Sequence, residues 1–144
     1  MTGRVQGKVA LITGAASGMG RTHAQLLAEQ GADIFVTDVN EAGLAETAAL
    51  VKPLGVKVAS ALHDVTDEIQ WQQIADQAQQ TFSRVDILVN NAGIAMPRRL
   101  EDTTTEEWDL VMAINAKGPF LGCRTILPLM KDAGGSMINI SSAY

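Results

Sequence analysis

Residues 8–20 read KVALITGAASGMG, and they carry more information than any other part of the chain. The run from Lys8 to Thr13 is short and apolar, which is typical of a buried strand, and the glycines after it predict a tight turn. Residues 21–30 have helical spacing, so a helix would begin directly after the turn. That order leaves backbone N–H groups free to bind a phosphate group, and glycine allows the main chain to approach a pyrophosphate closely. A glycine-rich turn is weak evidence alone, so its significance depends on the residues farther along the chain.

The rest of the chain alternates between strand-like and helical segments. Further strand-like runs, rich in Val, Ile and Leu, lie at 33–37, 56–61, 85–89 and 136–140. They are continuous rather than alternating, as expected when helices cover both faces of a sheet. Helical spacing occurs at 21–30, 41–52, 67–82 and from about 105 to 131. This order predicts one α/β domain, residues 1–144, with a parallel sheet and right-handed crossovers.

The last helical region contains its own start and break signals. Thr104 and Glu107 have the spacing of a capping box, which predicts a helix start at Thr105. Pro119 and Pro128 lack a backbone N–H, so we expect them to kink or interrupt the helix.

Composition and charge exclude several classes of protein. The 144 residues are 47% hydrophobic and 19% charged, which is ordinary for a soluble globular domain. The net charge of −5 argues against nucleic acid as a partner and against a polybasic membrane surface. There is no apolar run near the ~20 residues that span a bilayer, and the amino terminus lacks the apolar segment of a signal peptide. Cys123 is the only cysteine, which indicates a reducing compartment, and we expect the cytoplasm.

Asp38 follows the second predicted strand, eighteen positions after Gly20. A carboxylate at this place can accept hydrogen bonds from the ribose hydroxyls of an adenosine, and it would repel a 2′-phosphate. Alternatively, Asp38 begins a turn or caps the helix that starts at Glu41. Together with the glycine turn, the spacing favours the ribose role.

Polar residues also follow the third and fourth strands, at the carboxyl edge where open α/β sheets bind ligands. Asp64 follows the third strand and has an alternative role as a cap of the helix near Asp67. Residues 90–93 read NNAG after the fourth strand. Their two amide side chains offer donors and acceptors to a flat ligand, although an ordinary turn would have the same composition.

Together these motifs resemble the short-chain dehydrogenase/reductase family in its NAD(P)-dependent form. The matching residues are Thr13-Gly14-x-x-x-Gly18-x-Gly20, Asp64, Asn90-Asn91-Ala92-Gly93, Asn115 and Ile140-Ser141-Ser142. The glycine spacing is that of this family and differs from Gly-x-Gly-x-x-Gly, where Ala16 and Met19 would have to be glycine. The resemblance implies a Rossmann-type doubly wound sheet of strand order 3-2-1-4-5. Residues 130–142 resemble bacterial hydroxysteroid and alicyclic secondary-alcohol dehydrogenases.

The resemblance also implies which residues bind the cofactor. The pyrophosphate and adenosine side would be lined by Gly14, Ser17, Gly18 and Met19. Asp38 would hold the adenosine ribose, and Asp64 and Val65 would border the adenine. Asn91, Ala92 and Gly93 would run beside the two riboses. Members that prefer NADP usually have a basic residue at the position of Ser17 or just after strand two, where Val39 and Asn40 stand here, so we expect NAD rather than NADP.

Two candidate catalytic residues come from the same resemblance. Ser142 would steady the oxygen of an alcohol or ketone substrate, and Asn115 would hold a water in a proton relay. Alternatively, Ser142 caps a turn and Asn115 is a polar break in a helix. The implied reaction interconverts a secondary alcohol and a ketone by hydride transfer. No metal is expected, because His23 and His63 lack acidic or cysteine partners at ligand spacing.

The catalytic tyrosine and lysine of the family have no match in these residues. Tyr144 lies two positions after Ser142, whereas the family's tyrosine lies a full loop farther on, and no Tyr-x-x-x-Lys pair is present. We therefore expect residues 1–144 to be the front part of a longer enzyme and to be inactive alone. A non-catalytic NAD-binding or interaction module is the alternative. The family also implies a homo-oligomer, a dimer or tetramer, in which Ile126, Leu127 and Met130 would meet a partner chain.

Overall fold

The computed structural model describes residues 3–142, and within them the strands form a single parallel sheet. Its order is β3-β2-β1-β4-β5, and each neighbouring pair is parallel. The strands are β1 Val9–Thr13, β2 Asp33–Asp38, β3 Val58–Leu62, β4 Ile87–Asn90 and β5 Ser136–Asn139. The α/β class and the strand order that the resemblance implied are confirmed.

Helices connect the strands and cover both faces of the sheet. They are α1 Gly18–Glu29, α2 Glu41–Val51, α3 Glu68–Phe82, α4 Thr105–Met112 and α5 Gly118–Met130. Short 3₁₀ turns occupy Lys52–Leu54 and Leu100–Asp102, and a π-helical segment, Ala113–Lys117, joins α4 to α5. None of the helices described between residues 3 and 142 combines the length and apolar content that crossing a bilayer takes.

The central strand β1 is buried along its whole length and contributes to two cores. Ala10 and Ile12 pack into a cluster beneath α1 and α2, whereas Leu11 packs into a cluster beneath α3 and α5. Successive side chains of a strand point to opposite faces, so a strand buried on both sides must be continuously apolar. This is why residues 9–13 show no alternation of polar and apolar side chains.

The last helical region departs from α geometry beside the first of its two prolines. The helix changes to π geometry at Ala113–Lys117, before Pro119, and Pro119 then occupies the first turn of α5. Because a proline has no N–H to donate to the preceding turn, the change of geometry beside Pro119 is the interruption expected there. Pro128 lies inside α5, which continues to Met130, so of the two expected effects an interruption does not occur at Pro128.

Other local expectations are confirmed or corrected by particular contacts. The capping box at the start of α4 is present: the Glu107 N–H donates to Thr104 Oγ1 at 3.1 Å, and the Thr104 N–H donates to the Glu107 carboxylate at 3.0 Å. Ile126 and Met130 are buried in this chain's own core, so their expected contact with a partner chain is wrong. Leu127 is 47% exposed.

Candidate functional site

Two adjoining cavities lie at the carboxyl edge of the sheet. The β2-side cavity has a volume of about 260 Å³, and Gly14, Asp38, Asp64 and Val65 are among its lining residues. The β5-side cavity has a volume of about 550 Å³, and Met19, Asn91, Asn115 and Ser142 are among its lining residues. Both cavities share the segment 92–94 as a common wall. The fold therefore brings most of the residues singled out from the sequence to one edge.

The glycine turn between β1 and α1 needs its glycines for two separate reasons. Gly14 has a φ of 63°, and a Cβ there would lie 2.7 Å from the Ala92 Cα. A Cβ on Gly20 would lie 2.3 Å from the Gly14 carbonyl oxygen. Because both obstacles are backbone atoms, neither glycine accepts a side chain without moving the turn. Gly20 belonged to the sequence motif but not to the expected cofactor residues, and its role here is close packing.

The amino terminus of α1 is open to an anion. Ser17 is the N-cap in an extended conformation, and its side chain makes no capping hydrogen bond. Gly18 has a φ of 53°, and the place of its missing side chain is empty. The first turn of α1 contains no acidic residue. The free N–H groups and the positive end of the helix dipole are therefore not neutralised by the helix's own side chains.

Asp38 organises the turn beside this helix end. Its carboxylate accepts hydrogen bonds from the N–H groups of Ala16 and Asn40, both at 3.0 Å. The cap of α2 is not Asp38 but Asn40, whose side chain accepts from the Gly43 N–H at 3.0 Å. A carboxylate has about four acceptor positions, so two remain for a ligand in the β2-side cavity. Asp38 thus begins a turn, as one of its alternative roles required. Its carboxylate can still accept hydrogen bonds from a ribose.

Arg21 holds the glycine turn from the opposite side. Its guanidinium donates to the carbonyl oxygen of Ala16 and, at 3.0 Å, to Thr47 Oγ1. Buried Thr47 in turn donates to the Ala15 carbonyl oxygen at 2.7 Å. Sequence reasoning missed this network, because the Arg21 and Thr47 positions are 26 residues apart and no local pattern links them.

The amide of Asn91 binds the end of β1. Its Nδ2 donates to the carbonyl oxygens of Thr13 and Gly14 at 3.0 and 3.1 Å. The N–H groups of Asn91 and Ala92 donate to the buried Thr13 hydroxyl at 3.1 and 3.0 Å. Residues 91–92 therefore lock the end of β4 against the glycine turn. Asn90 makes a similar link to β5, since its Nδ2 donates to Asn139 Oδ1 at 2.8 Å.

The turn after β3 contributes a wall of the β2-side cavity. Asp67, not Asp64, caps α3, since its carboxylate accepts from the Ile69 and Gln70 N–H groups at 2.8 and 3.1 Å. Behind the turn, His63 is 2% exposed, and its Nδ1 lies 3.1 Å from Thr37 Oγ1. Burial lowers the pKa of His63 to about 4, although the carboxylates of Asp64 and Asp67 act in the opposite direction. His63 is therefore neutral at physiological pH.

Asn115 lies in the π-helical segment and reaches across to the shared wall. Its Oδ1 accepts from the Ile94 N–H at 2.9 Å, and its Nδ2 donates to the Ile94 carbonyl oxygen at 2.7 Å. π-Helical turns inside α-helices are frequent at functional sites. Ser142 and Met19 line the same cavity. Tyr144 lies outside the described residues.

Over residues 3–142, no group of three or more His, Cys, Asp and Glu side chains is arranged to hold a metal ion. The residues at this edge instead offer backbone N–H groups, one carboxylate at the end of β2, and hydroxyl and amide side chains. Such a set suits an extended anionic ligand with a sugar at one end.

The parallel sheet, the open helix end after β1 and the acid after β2 define a doubly wound α/β protein of the nucleotide-binding type. The family model described as short chain dehydrogenase matches residues 8–144. The chain therefore belongs to the short chain dehydrogenase family.

Its relatives include alcohol and hydroxysteroid dehydrogenases. It is 43% identical over 144 residues to a cyclopentanol dehydrogenase of a Comamonas species, covering 99% of this chain and 57% of the relative. It is 39% identical to a 3-beta-hydroxysteroid dehydrogenase of Comamonas testosteroni, with 99% and 55% covered. It is 40% identical to an NADP-dependent (R)-specific alcohol dehydrogenase of Lentilactobacillus kefiri, with 99% and 57% covered.

Among solved structures, the chain is similar to a short chain dehydrogenase of Mycobacterium paratuberculosis bound to NAD. The TM-score is 0.94 at 35% identity, and the match covers 98% of this chain and 58% of the other. The chain thus spans little more than half the length of the relatives that it matches.

Proposed function

We propose that this chain forms the cofactor-binding half of an NAD-dependent oxidoreductase that interconverts a secondary alcohol and a ketone. One observation carries the proposal: an open helix end, a ribose-type carboxylate and the Asn115–Ser142 pair border two cavities with a common wall. A dinucleotide needs such neighbouring sites, because its adenosine and its nicotinamide are bound at opposite ends of one diphosphate. The alcohol and hydroxysteroid dehydrogenases among the relatives support the reaction class.

The residues fit the cofactor in sequence along the edge. Gly14, Ser17 and Gly18 would hold the diphosphate with backbone N–H groups, because the space beside Gly18 is empty and no side chain caps the α1 terminus. The remaining candidates are Met19, Asp38, Asp64, Val65, Asn91, Ala92 and Gly93. Of these, Asn91 would act indirectly, since its amide group is bound to the end of β1.

Charge supports NAD over NADP. Ser17, Val39 and Asn40 are uncharged, and Asp38 would stand beside the 2′-phosphate of NADP with the same sign of charge. One relative is an NADP-dependent alcohol dehydrogenase, so cofactor preference varies among similar chains.

When bound, NAD would supply the hydride chemistry, and the protein would supply placement and proton handling. Ser142 would donate its hydroxyl to the substrate oxygen in the β5-side cavity. The Oδ1 and Nδ2 atoms of Asn115 are both hydrogen-bonded to the backbone of Ile94. Asn115 would therefore hold the relay water through its backbone carbonyl group. These two hydrogen bonds also hold the segment 92–94, the common wall of the two cavities, in place.

A homo-oligomer is part of the proposal. Trp108 and Met112 of α4 and Phe120 and Leu127 of α5 are large apolar side chains that are exposed in the single chain. A second copy of the chain would remove them from water.

Isothermal titration with NAD tests the cofactor site, and a turnover assay with cyclic secondary alcohols and ketones tests the reaction. We expect saturable NAD binding by this chain, and turnover only when the remaining length found in the relatives is present. Binding without turnover in a full-length protein would indicate an NAD-binding module. The absence of NAD binding by a folded chain would refute the proposal.

A further inference from the structure

The turn Asp64–Val65 is held from behind by two consecutive side chains of α3. Gln70 Oε1 accepts a hydrogen bond from the Asp64 N–H at 2.7 Å. Trp71 Nε1 donates to the Val65 carbonyl oxygen at 2.9 Å. Neither Gln70 nor Trp71 belongs to the lining of the β2-side cavity. The two side chains therefore act on the wall of the cavity without touching its contents.

Both side chains are fixed in orientation by further contacts. Gln70 Nε2 donates to the Asp67 carboxylate at 3.1 Å, which directs its oxygen towards the Asp64 N–H. Trp71 is fully buried, and its ring meets that of His63 edge-on, with 4.3 Å between centroids and 90° between planes. The buried indole N–H of Trp71 needs an acceptor, and the Val65 carbonyl oxygen provides it. Replacing the indole would leave this carbonyl oxygen without its hydrogen-bond donor.

The hydrogen bonds of the Asp64–Val65 turn leave one donor and one acceptor available for a ligand. Gln70 uses the Asp64 N–H, Trp71 uses the Val65 carbonyl, and Asp64 Oδ1 accepts from the Thr66 N–H at 2.9 Å. The Val65 N–H and Asp64 Oδ2 take part in none of these three hydrogen bonds. One donor and one acceptor on adjacent residues can discriminate between bases that differ in their hydrogen-bonding edge.

We propose that Gln70 and Trp71 are positioning residues that hold the Asp64–Val65 turn so that it distinguishes adenine from other bases. The inference rests on the proposed function, because it takes the β2-side cavity as the adenosine end of an NAD site. It adds that base selectivity depends on the first turn of α3, one layer behind the residues in contact with the cofactor.

The test compares NAD with nicotinamide hypoxanthine dinucleotide, in which an oxygen replaces the amino group of adenine. Titration calorimetry of the protein gives the ratio of the two dissociation constants. We expect the unmodified protein to prefer NAD by roughly tenfold, as for one mismatched hydrogen bond. Gln70→Ala and Trp71→Phe should each reduce this preference at least threefold, roughly half of that hydrogen bond's effect.

Two matched controls separate positioning from general loss of stability. Gln72→Ala removes a neighbouring glutamine of α3 whose amide binds Asp76 instead. Ile74→Ala opens the same buried cluster without removing a hydrogen bond to the turn. Both should keep the base preference, even where Ile74→Ala lowers the melting temperature as much as Trp71→Phe.

Each outcome decides one of the two claims. If the folded protein binds neither dinucleotide, the proposed function fails. If it binds NAD but shows no base preference, or if Gln70→Ala and Trp71→Phe keep the preference, the positioning inference is overturned and the cofactor site stands. Gln70 is only half-buried, so Gln70→Ala decides the question if Trp71→Phe does not fold.

Discussion

Replacing Asp38 by asparagine removes the negative charge of this side chain and tests whether that charge selects NAD over NADP. The substitution preserves the shape of the side chain and one acceptor oxygen, while the second position becomes an NH₂ donor. One of the two amide contacts, to Ala16 or to Asn40, would be lost, at a stability cost of about 1 kcal/mol. The fold should therefore survive, and the change in binding can be measured on a folded protein.

The expected magnitudes follow from the place of the partly buried Asp38 in the lining of the β2-side cavity. Loss of an ionised acceptor for a ribose hydroxyl weakens NAD binding by about 1.4 kcal/mol, or about tenfold. Two unit charges at roughly 4 Å repel by about 1 kcal/mol in water and about 4 kcal/mol at an effective dielectric of about 20. For a half-exposed carboxylate the repulsion per unit charge lies near the lower of these values, and the 2′-phosphate carries about two charges. Asp38→Asn should therefore improve NADP binding by about 2 kcal/mol, or roughly thirtyfold.

Asp33→Asn is the matched control. Asp33 begins the same strand and also accepts a backbone hydrogen bond, from the Lys57 N–H at 2.8 Å, but it lies at the opposite edge of the sheet. Titration calorimetry with NAD and NADP measures both variants. We expect the ratio of NAD to NADP affinity to change by roughly three-hundredfold in Asp38→Asn and to stay the same in Asp33→Asn. Equal behaviour of the two variants would refute the assignment of the ribose site.

Other perturbations test the remaining assignments. The pKa of His63 in the folded chain, about 4, lies below its ordinary value of 6.5, so the unfolded chain takes up this proton first as pH falls. The free energy of unfolding should therefore drop by roughly 3 kcal/mol between about pH 6.5 and 4. Urea titrations of His63→Gln should show this loss reduced, and an unchanged pH profile would contradict the assignment. Gly20→Ala places a methyl group 2.3 Å from the Gly14 carbonyl oxygen, so calorimetry should show at least roughly tenfold weaker NAD binding. Leu127→Glu should lower the mass measured by light scattering while the chain stays folded, whereas Ile126→Glu, at a buried position, should unfold it. An unchanged mass for Leu127→Glu would count against an interface at this position.

The sheet was predictable because its signals are local. Residues 9–12 are apolar at every position because helices cover both faces of the sheet, and the glycines after Thr13 mark the turn into α1. The capping box at Thr104 also depends on neighbours three residues apart. The strand order and the roles of individual residues came from the resemblance to a family, not from periodicity.

What the sequence did not reveal depends on contacts between distant residues. Pro119 predicts a break nearby but not the π geometry of Ala113–Lys117, which is accompanied by the Asn115 contact with Ile94, 21 residues earlier. Arg21 and Thr47 likewise meet only after two crossovers are folded. The resemblance implied a partner contact for Ile126, and only the folded contacts place this side chain in the buried cluster beneath α5.

A crystal structure of the protein soaked with NAD tests the central claim most directly. We predict that the diphosphate lies against the backbone N–H groups at the start of α1 and that the adenosine ribose hydroxyls are within hydrogen-bonding distance of the Asp38 carboxylate. A dinucleotide bound away from the β2-side cavity, or bound there without contact to Asp38, would contradict this claim.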